Sequence, residues 1–356
     1  MRILITDANY KNSIAIQREL YKENSHQIFA TDKETVFFTK RFGYCKDYIV
    51  GDLEESVKKI KPEFIIPVGS EAVTICSEKY RELCLLPTKE SLEIALNKDK
   101  MVILNSLQDV HYPECKLFSN LDELRVYSKD KNCVVKSSNE SLAKFDPIYV
   151  KLNSESEFGE IEKYLSGGVK LLMQERVSGV GRGFFCIAKE GKIISYYMHE
   201  RIREIPITGG SSTAAKSIFC EKMFDISKRI IEYLNWSGPL MIEYKYDESK
   251  QKYHLIELNP KFWGSLDLSY AVGLNFGRTL MDAYSKDVNE QLEKKYEVGK
   301  KFFWVLDGDL LGLVKTGKLY KMKEYFQKDS YTNLFENFSI DSVKLMWTIK
   351  KIFSSK

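Results

Sequence analysis

Short apolar runs alternate with helix-like segments over roughly the first 85 residues. The runs lie at residues 2–6, 27–31 and 63–68, and the first is followed by residues 13–23, whose apolar positions recur at helical spacing. Strands that alternate with helices predict a parallel sheet built of βαβ units. The glycine-rich phosphate fingerprint of dinucleotide-binding proteins does not follow the first strand, so we expect a Rossmann-like layer without an obvious dinucleotide site.

The pattern changes further along the chain. Residues 89–130 have a mostly helical pattern, and the following residues, to about 260, contain short β-rich runs. Polar stretches at 190–192 and 247–252 each separate two apolar runs and predict β-hairpins. Helices are expected near 155–165, 219–234 and 264–285.

Composition and charge restrict the class of protein. The 356 residues are 44% hydrophobic and 29% charged, which is typical of a globular protein and excludes a disordered or fibrous chain. Residues 286–356 contain 14 Lys and 10 Asp or Glu, so they account for the whole formal net charge of +4. A body with balanced charge argues against nucleic acid as a partner. No apolar run is long enough to predict a membrane span, and seven scattered cysteines indicate reduced thiols in a cytoplasmic protein.

The second predicted hairpin brings three oxygen-bearing side chains together. Glu257 and Asn259 alternate with apolar residues on one strand, and Glu243 lies on the neighbouring strand. Because side chains in a strand alternate between faces, these three can share one face. Oxygen ligands of this kind favour Mg²⁺, with Mn²⁺ as an alternative. The other interpretation, solvent-facing residues on an amphipathic hairpin, stays open at this point.

Two lysines and a pair of arginines are candidates for binding anions. Lys136 lies in an apolar strand, and Lys100 begins a helix-like segment, where it is also typical of a solvated surface residue. His199, Arg201 and Arg203 are spaced to share one face of a strand, and a Gly-Gly-Ser-Ser segment follows. Two guanidinium groups on one face suit a carboxylate or phosphate.

In this combination and order, the motifs resemble those of the ATP-grasp superfamily of carboxylate–amine ligases, and most of all single-chain proteins similar to the large subunit of carbamoyl-phosphate synthase. The resemblance covers roughly residues 1–285. It implies a Rossmann-like pre-ATP-grasp domain (1–88), a helical linker that begins the ATP-grasp domain (89–130), a small lobe (131–178) and a large lobe (179–285), followed by a Lys-rich extension (286–356).

The resemblance also implies roles for the candidate residues. Lys100 and Lys136 would bind the phosphates of ATP, and the segment Gln174, Glu175, Arg176 and Val177 would bind adenine, Val177 through its main chain. The Mg²⁺ ligands would be Glu243, Glu257 and Asn259, and the catalytic residues on the substrate side would be Arg203, Lys261 and Arg201.

The chain departs from the family pattern at two of these places. The loop after Lys136 (137–141) has no glycine, and Lys261 stands where the family commonly has arginine. The implied reaction is the attack of a carboxylate on ATP, followed by the displacement of phosphate by an amine to form an amide. Alternatives are a kinase-like or hydrolytic phosphoryl transfer, and a nucleotide-binding protein without turnover.

The extension ends in a segment, residues 339–353, with apolar residues at helical spacing. This pattern predicts a helix that packs on its own domain or on a second subunit in a homodimer. Peripheral contact with a membrane surface is an alternative. The expected partners are otherwise small-molecule acids and amines, whose identity the sequence does not reveal.

Overall fold

The structure of the protein is a computed structural model, which describes residues 1–138, 148–150, 156–205, 210–285, 296–334 and 338–354. The N-terminal region is a four-stranded parallel sheet in the order β3-β2-β1-β4, which confirms the predicted parallel layer. Its elements are β1 (Arg2–Ile5), α1 (Lys11–Glu23), β2 (Gln27–Asp32), β3 (Asp47–Val50), α2 (Leu53–Ile60), β4 (Phe64–Ile66) and α3 (Ser70–Lys79).

The second sheet forms the small lobe and is antiparallel, in the order β5-β8-β6-β7. The segment predicted as mostly helical contains one of its edge strands, because the short run at 115–118 pairs with β8. The elements are α4 (Lys89–Leu96), a 3₁₀ turn (Lys100–Ser106), β5 (Cys115–Phe118), α5 (Leu121–Ser128), β6 (Cys133–Ser137), β7 (Ile148–Val150), α6 (Phe158–Ser166) and β8 (Leu171–Glu175).

The third sheet forms the large lobe and has seven strands in the order β13-β12-β9-β10-β11-β14-β15. Both predicted hairpins are confirmed, and the first turns at Glu190 and Gly191, whose φ angles of 50° and 75° suit a tight turn between twisted strands. The elements as far as 285 are β9 (Val180–Lys189), β10 (Lys192–Ile205), β11 (Ser211–Ile218), α7 (Glu221–Tyr233), β12 (Gly238–Asp247), β13 (Lys252–Asn259), α8 (Leu266–Ala271) and α9 (Phe276–Ser285).

The predicted extension is part of this third sheet. Its strands β14 (Lys301–Phe303) and β15 (Ser330–Thr332) add to the edge of β11, and α10 (Leu310–Lys315) and α11 (Phe338–Ser354) follow the same region of the chain. Helix α11 coincides with the predicted C-terminal helix. Within the described residues, no helix combines the length and apolar character needed to cross a bilayer.

The N-terminal sheet and the large lobe share one hydrophobic core. Ile16 of α1 and Ile5 of β1 are buried in the same cluster as Phe185, Tyr197 and Trp263 of the large-lobe region. The small lobe has a separate core around Leu124 and Met173. The space where the N-terminal region meets the large lobe is therefore bordered by elements that share one core.

Candidate active site

A cavity of about 690 Å³ lies where the N-terminal sheet meets the large lobe. The starts of α1 and α3 border it on one side, and β10, β12 and β13 border it on the other. Five of the residues predicted for the site line it, namely Arg201, Glu243, Glu257, Asn259 and Lys261. The small lobe contributes Tyr149.

Glu243 and Glu257 lie directly opposite each other on β12 and β13, and Asn259 lies further along the same face of β13. Their carboxylates are mostly buried, with side-chain exposures of 23% and 19%. Two carboxylates and an amide supply oxygen donors only, which fits Mg²⁺ or Mn²⁺. No group of three or more His, Cys, Asp or Glu side chains suited to a metal occurs among the described residues, so this set needs ligand or water oxygens to complete a coordination shell.

Each of the two carboxylates has a cation nearby. Arg201 Nη2 donates to Glu243 Oε2 over 2.6 Å, and Arg201 Nη1 donates to Glu204 and to the carbonyl of Gly210. Burial alone would lower the pKa of Arg201, but the charges of Glu243 and Glu204 outweigh it and raise the pKa. Gly181 leaves the space for this arginine, since a Cβ there would be 2.8 Å from Arg201 Cδ.

The cation near Glu257 is Lys98, which the sequence analysis did not select. Lys98 Nζ lies 3.9 Å from Glu257 Oε2, and the side chain is only 7% exposed. Lys100, the predicted phosphate ligand, is instead exposed and paired with Glu93 on the surface, and it does not line the cavity. The chain leaves α4 before Lys98, and this change of direction is what turns Lys98 inward. Nothing in the sequence around Lys98, which follows an amphipathic helix, indicates that its side chain points inward.

In the small lobe, Lys136 and Gln174 form a pair on neighbouring strands. Lys136 Nζ donates to Gln174 Oε1 over 3.0 Å. Gln174 is buried, and its Nε2 has no hydrogen-bond partner among the described residues. Glu175 and Arg176 are exposed, with the Arg176 guanidinium 5.2 Å from the Tyr149 ring centroid, and Val177 is half-buried. The loop after Lys136 lies mostly outside the described residues, as does Gly209, the first residue of the Gly-Gly-Ser-Ser segment.

Arg203 does not face the cavity. Its guanidinium donates to both carboxylate oxygens of Asp309 over 2.8 Å and to Glu324 over 2.6 Å. The strand pairing shifts register between Arg201 and Arg203, so the expected shared face is interrupted by an irregularity. Strict alternation along the strand would place Glu204 on the opposite face from Arg201, but at this irregularity the two side chains form an ion pair at 3.1 Å.

Two further contacts join the large lobe to the helices of the N-terminal region. Lys261 Nζ donates to Ser70 Oγ at the start of α3 over 2.6 Å, and Asn12 of α1 donates to the carbonyl of Phe262 over 2.9 Å. His199 is buried beside Ser265 and the ring of Phe185, and burial lowers its pKa well below the usual value. A neutral His199 is therefore part of the wall behind the cavity.

The sequence matches no protein-family model and no curated protein. Solved structures do match the fold. An N5-carboxyaminoimidazole ribonucleotide synthetase in complex with ADP has 13% identity and a TM-score of 0.67, covering 99% of this chain and 96% of that one. An L-amino acid ligase from Bacillus licheniformis has 12% identity and a TM-score of 0.63, covering 84% and 78%.

A third structure is the biotin carboxylase domain of 2-oxoglutarate carboxylase from Hydrogenobacter thermophilus, solved with MgADP, ADP and bicarbonate. It has 12% identity and a TM-score of 0.65, covering 84% of this chain and 73% of that one. At this level of identity the likeness establishes the fold and not the reaction. The chain has the ATP-grasp fold, as the resemblance predicted.

Proposed function

We propose that this protein is an ATP-dependent carboxylate–amine ligase, which forms an amide through an acyl phosphate and releases ADP and phosphate. The observation that carries the proposal is the facing pair Glu243 and Glu257, with Asn259, on one wall of the cavity. These residues would hold Mg²⁺, with Mn²⁺ as an alternative, and the metal would neutralise phosphate charge and orient the nucleotide. Solved structures of the same fold support the proposal, since one contains MgADP and another is an L-amino acid ligase.

The positively charged side chains near Glu243 and Glu257 would stabilise negative charge on the nucleotide and the substrate. Phosphoryl transfer depends mainly on positioning and on charge stabilisation, and it needs no protein nucleophile. Lys98 and Lys136 would offset negative charge on the transferred phosphoryl group, and Lys98 takes the role that the resemblance gave to Lys100. Arg201 and Lys261 line the cavity and would bind the substrate carboxylate. The segment 174–177 would bind adenine.

The experiment that tests this proposal is ADP release by the Glu257→Gln variant, measured over pooled acids and amines with mass detection of products. We expect turnover to fall at least about 100-fold, because an amide replaces one charged ligand and leaves Lys98 without its carboxylate. Glu248→Gln is the matched control, since Glu248 is exposed in the turn of the same hairpin. Turnover of Glu257→Gln equal to that of the wild type would contradict the metal assignment.

Product analysis also separates the alternatives. A ligase needs both an acid and an amine for sustained ADP release, whereas a kinase yields a phosphorylated product without an amine. A binding protein without turnover releases no ADP with any pair.

A further inference from the structure

Lys11 also lines the cavity, and the proposed binding of metal and nucleotide gives it no role. Lys11 is the first residue of α1 and is partly buried. Its ammonium lies 5.1 Å from the ring centroid of Trp304. Its side chain passes close to Gly264, where an added Cβ would lie 3.0 Å from Lys11 Cε. The ammonium is thus held between an aromatic ring and the main chain.

Lys11 has no hydrogen bond or ion pair with any residue that the structure describes. The two carboxylates whose charges act on Lys11 already have partners: Asp307 pairs with Lys344 at 3.0 Å, and Asp267 with Arg18 at 2.9 Å. Burial lowers the pKa of Lys11, the charges of Asp307 and Asp267 act in the opposite direction, and Lys344 adds to the lowering. An ammonium in this position is unfavourable in the free protein, and an anion beside it would relieve that cost.

Two helices begin at the same wall of the cavity. Tyr10 and Gly69 precede α1 and α3, and neither residue caps its helix through a side chain. The N–H of Gly69 donates to Asp7 Oδ2 over 2.7 Å, so in the described part of the chain the start of α1 is the one of the two without a carboxylate at its N-cap residue. Helix N-termini present backbone N–H groups and partial positive charge, which favours anions.

The cations on the two walls of the cavity differ in their pairing, because Arg201 donates to Glu243 whereas Lys11 has no carboxylate partner among the described residues. The carboxylates that act on Lys11 are Asp307 and Asp267, whereas Glu243 and Glu257 act on Arg201. We propose that Lys11, with the first turns of α1 and α3, binds a carboxylate or phosphate group of a substrate, at a distance from the group that reacts with the nucleotide. This inference rests on the proposed function and narrows it, because one of the two substrates must then carry a second anionic group.

The test is calorimetric titration of the full chain with inorganic phosphate and, separately, with succinate, at millimolar concentrations. The wild type binds at least one of these anions, and Lys11→Met weakens that binding at least tenfold. Lys11→Arg retains most of it, because the positive charge remains. Lys22→Met leaves it unchanged, since Lys22 lies at the exposed end of the same helix. Binding of inorganic phosphate would indicate a phosphorylated substrate, and binding of succinate would indicate a dicarboxylate.

Thermal unfolding of each variant checks that the fold is retained. Equal binding by Lys11→Met and the wild type overturns the inference, and so does the absence of binding by the wild type. MgADP is titrated into the same proteins. If MgADP fails to bind while anion binding depends on Lys11, the proposed function fails and the anion site stands.

Discussion

Arg201 and Arg203 lie two positions apart on one strand, and their guanidinium groups have different partners. Arg201 contacts Glu243 in the cavity, and Arg203 binds Asp309 and Glu324 at the extension. In the free protein, Arg201 therefore occupies one of the carboxylates that we propose as metal ligands. A divalent cation at Glu243 has to compete with this guanidinium.

We predict that Arg201→Met increases the stabilisation that Mg²⁺ gives. Removing the cation beside Glu243 removes a repulsion that amounts to about 1 kcal/mol per unit of metal charge at 4 Å even in bulk water, so the rise in Tm on adding Mg²⁺ should be at least roughly 2 °C larger than in the wild type. The measurement is thermal unfolding with and without MgCl₂. Arg182→Met is the matched control, because Arg182 pairs with Glu200 and lies opposite Tyr244, on the other face of the same sheet. The same Mg²⁺ effect in both variants would contradict the prediction.

The position of a side chain could be predicted where its neighbours are close in sequence, and not where they are distant. Glu257 and Asn259 share a face because of the two-residue period of a strand, as expected from the sequence. Their alignment with Glu243 also needs the register shift between Glu243 and Tyr244, because unbroken pairing from Tyr244 and Leu255 would place Glu243 opposite Ile256. Lys98 was missed because its direction depends on where α4 ends. The role of Arg203 was missed because its partner Asp309 is 106 residues away.

Among the elements, the extension is joined to the large lobe by a buried carboxylate as well as by the pairing of β14 with β11. Asp309 precedes α10, and its side chain is fully buried. It accepts hydrogen bonds from Arg203, from Thr213 over 3.0 Å and from Tyr325 over 2.7 Å. The three donors come from β10, β11 and the segment after α10, so one side chain connects three parts of the chain.

We predict that Asp309→Ala lowers the free energy of unfolding by about 3–5 kcal/mol, because it leaves a mostly buried guanidinium without its main partner. Urea denaturation measures this change. Asp329→Ala is the control, since Asp329 pairs with Lys300 at the protein surface and its removal should leave the stability nearly unchanged. Similar effects of the two substitutions would show that the buried network does not fix the extension.

Some strands and one helix boundary could not be predicted from the sequence. β3 (DYIV) and β5 (CKLF) were not anticipated, because runs of four residues with a polar member carry a weak periodic signal. The segment 264–285 was expected to be one helix and is two, with a turn at Gly273, whose φ of 91° is outside the helical range. In each case the deciding contacts come from other parts of the fold.

At the scale of the whole molecule, the parts of the chain that share a hydrophobic core are expected to unfold together. Ile16 is buried in the cluster that joins α1 to the large lobe, and Leu124 is buried in the separate core of the small lobe. A small lobe with its own core can open independently, as the proposed binding of ATP between two lobes would require.

We predict that Leu124→Ala, which costs about 2–5 kcal/mol, reduces hydrogen-exchange protection in β5, β6 and β8 without affecting β1 or β10. Ile16→Ala should reduce protection in β1 and β10 together, because both strands contribute to the shared core. Mass spectrometry of exchange under native conditions measures both. Loss of protection throughout the chain after Leu124→Ala would mean that the small lobe does not open as a separate unit.

The central claim is that Glu243, Glu257 and Asn259 hold a divalent cation on a nucleotide in this cavity. Its most direct test is calorimetric titration of the wild type and Asn259→Leu with ADP, in Mg²⁺ and in EDTA. We predict that Mg²⁺ strengthens ADP binding to the wild type at least about tenfold, and that this gain disappears when the amide ligand is removed. ADP binding that is independent of Mg²⁺ in the wild type, or a gain that persists in Asn259→Leu, would contradict the account.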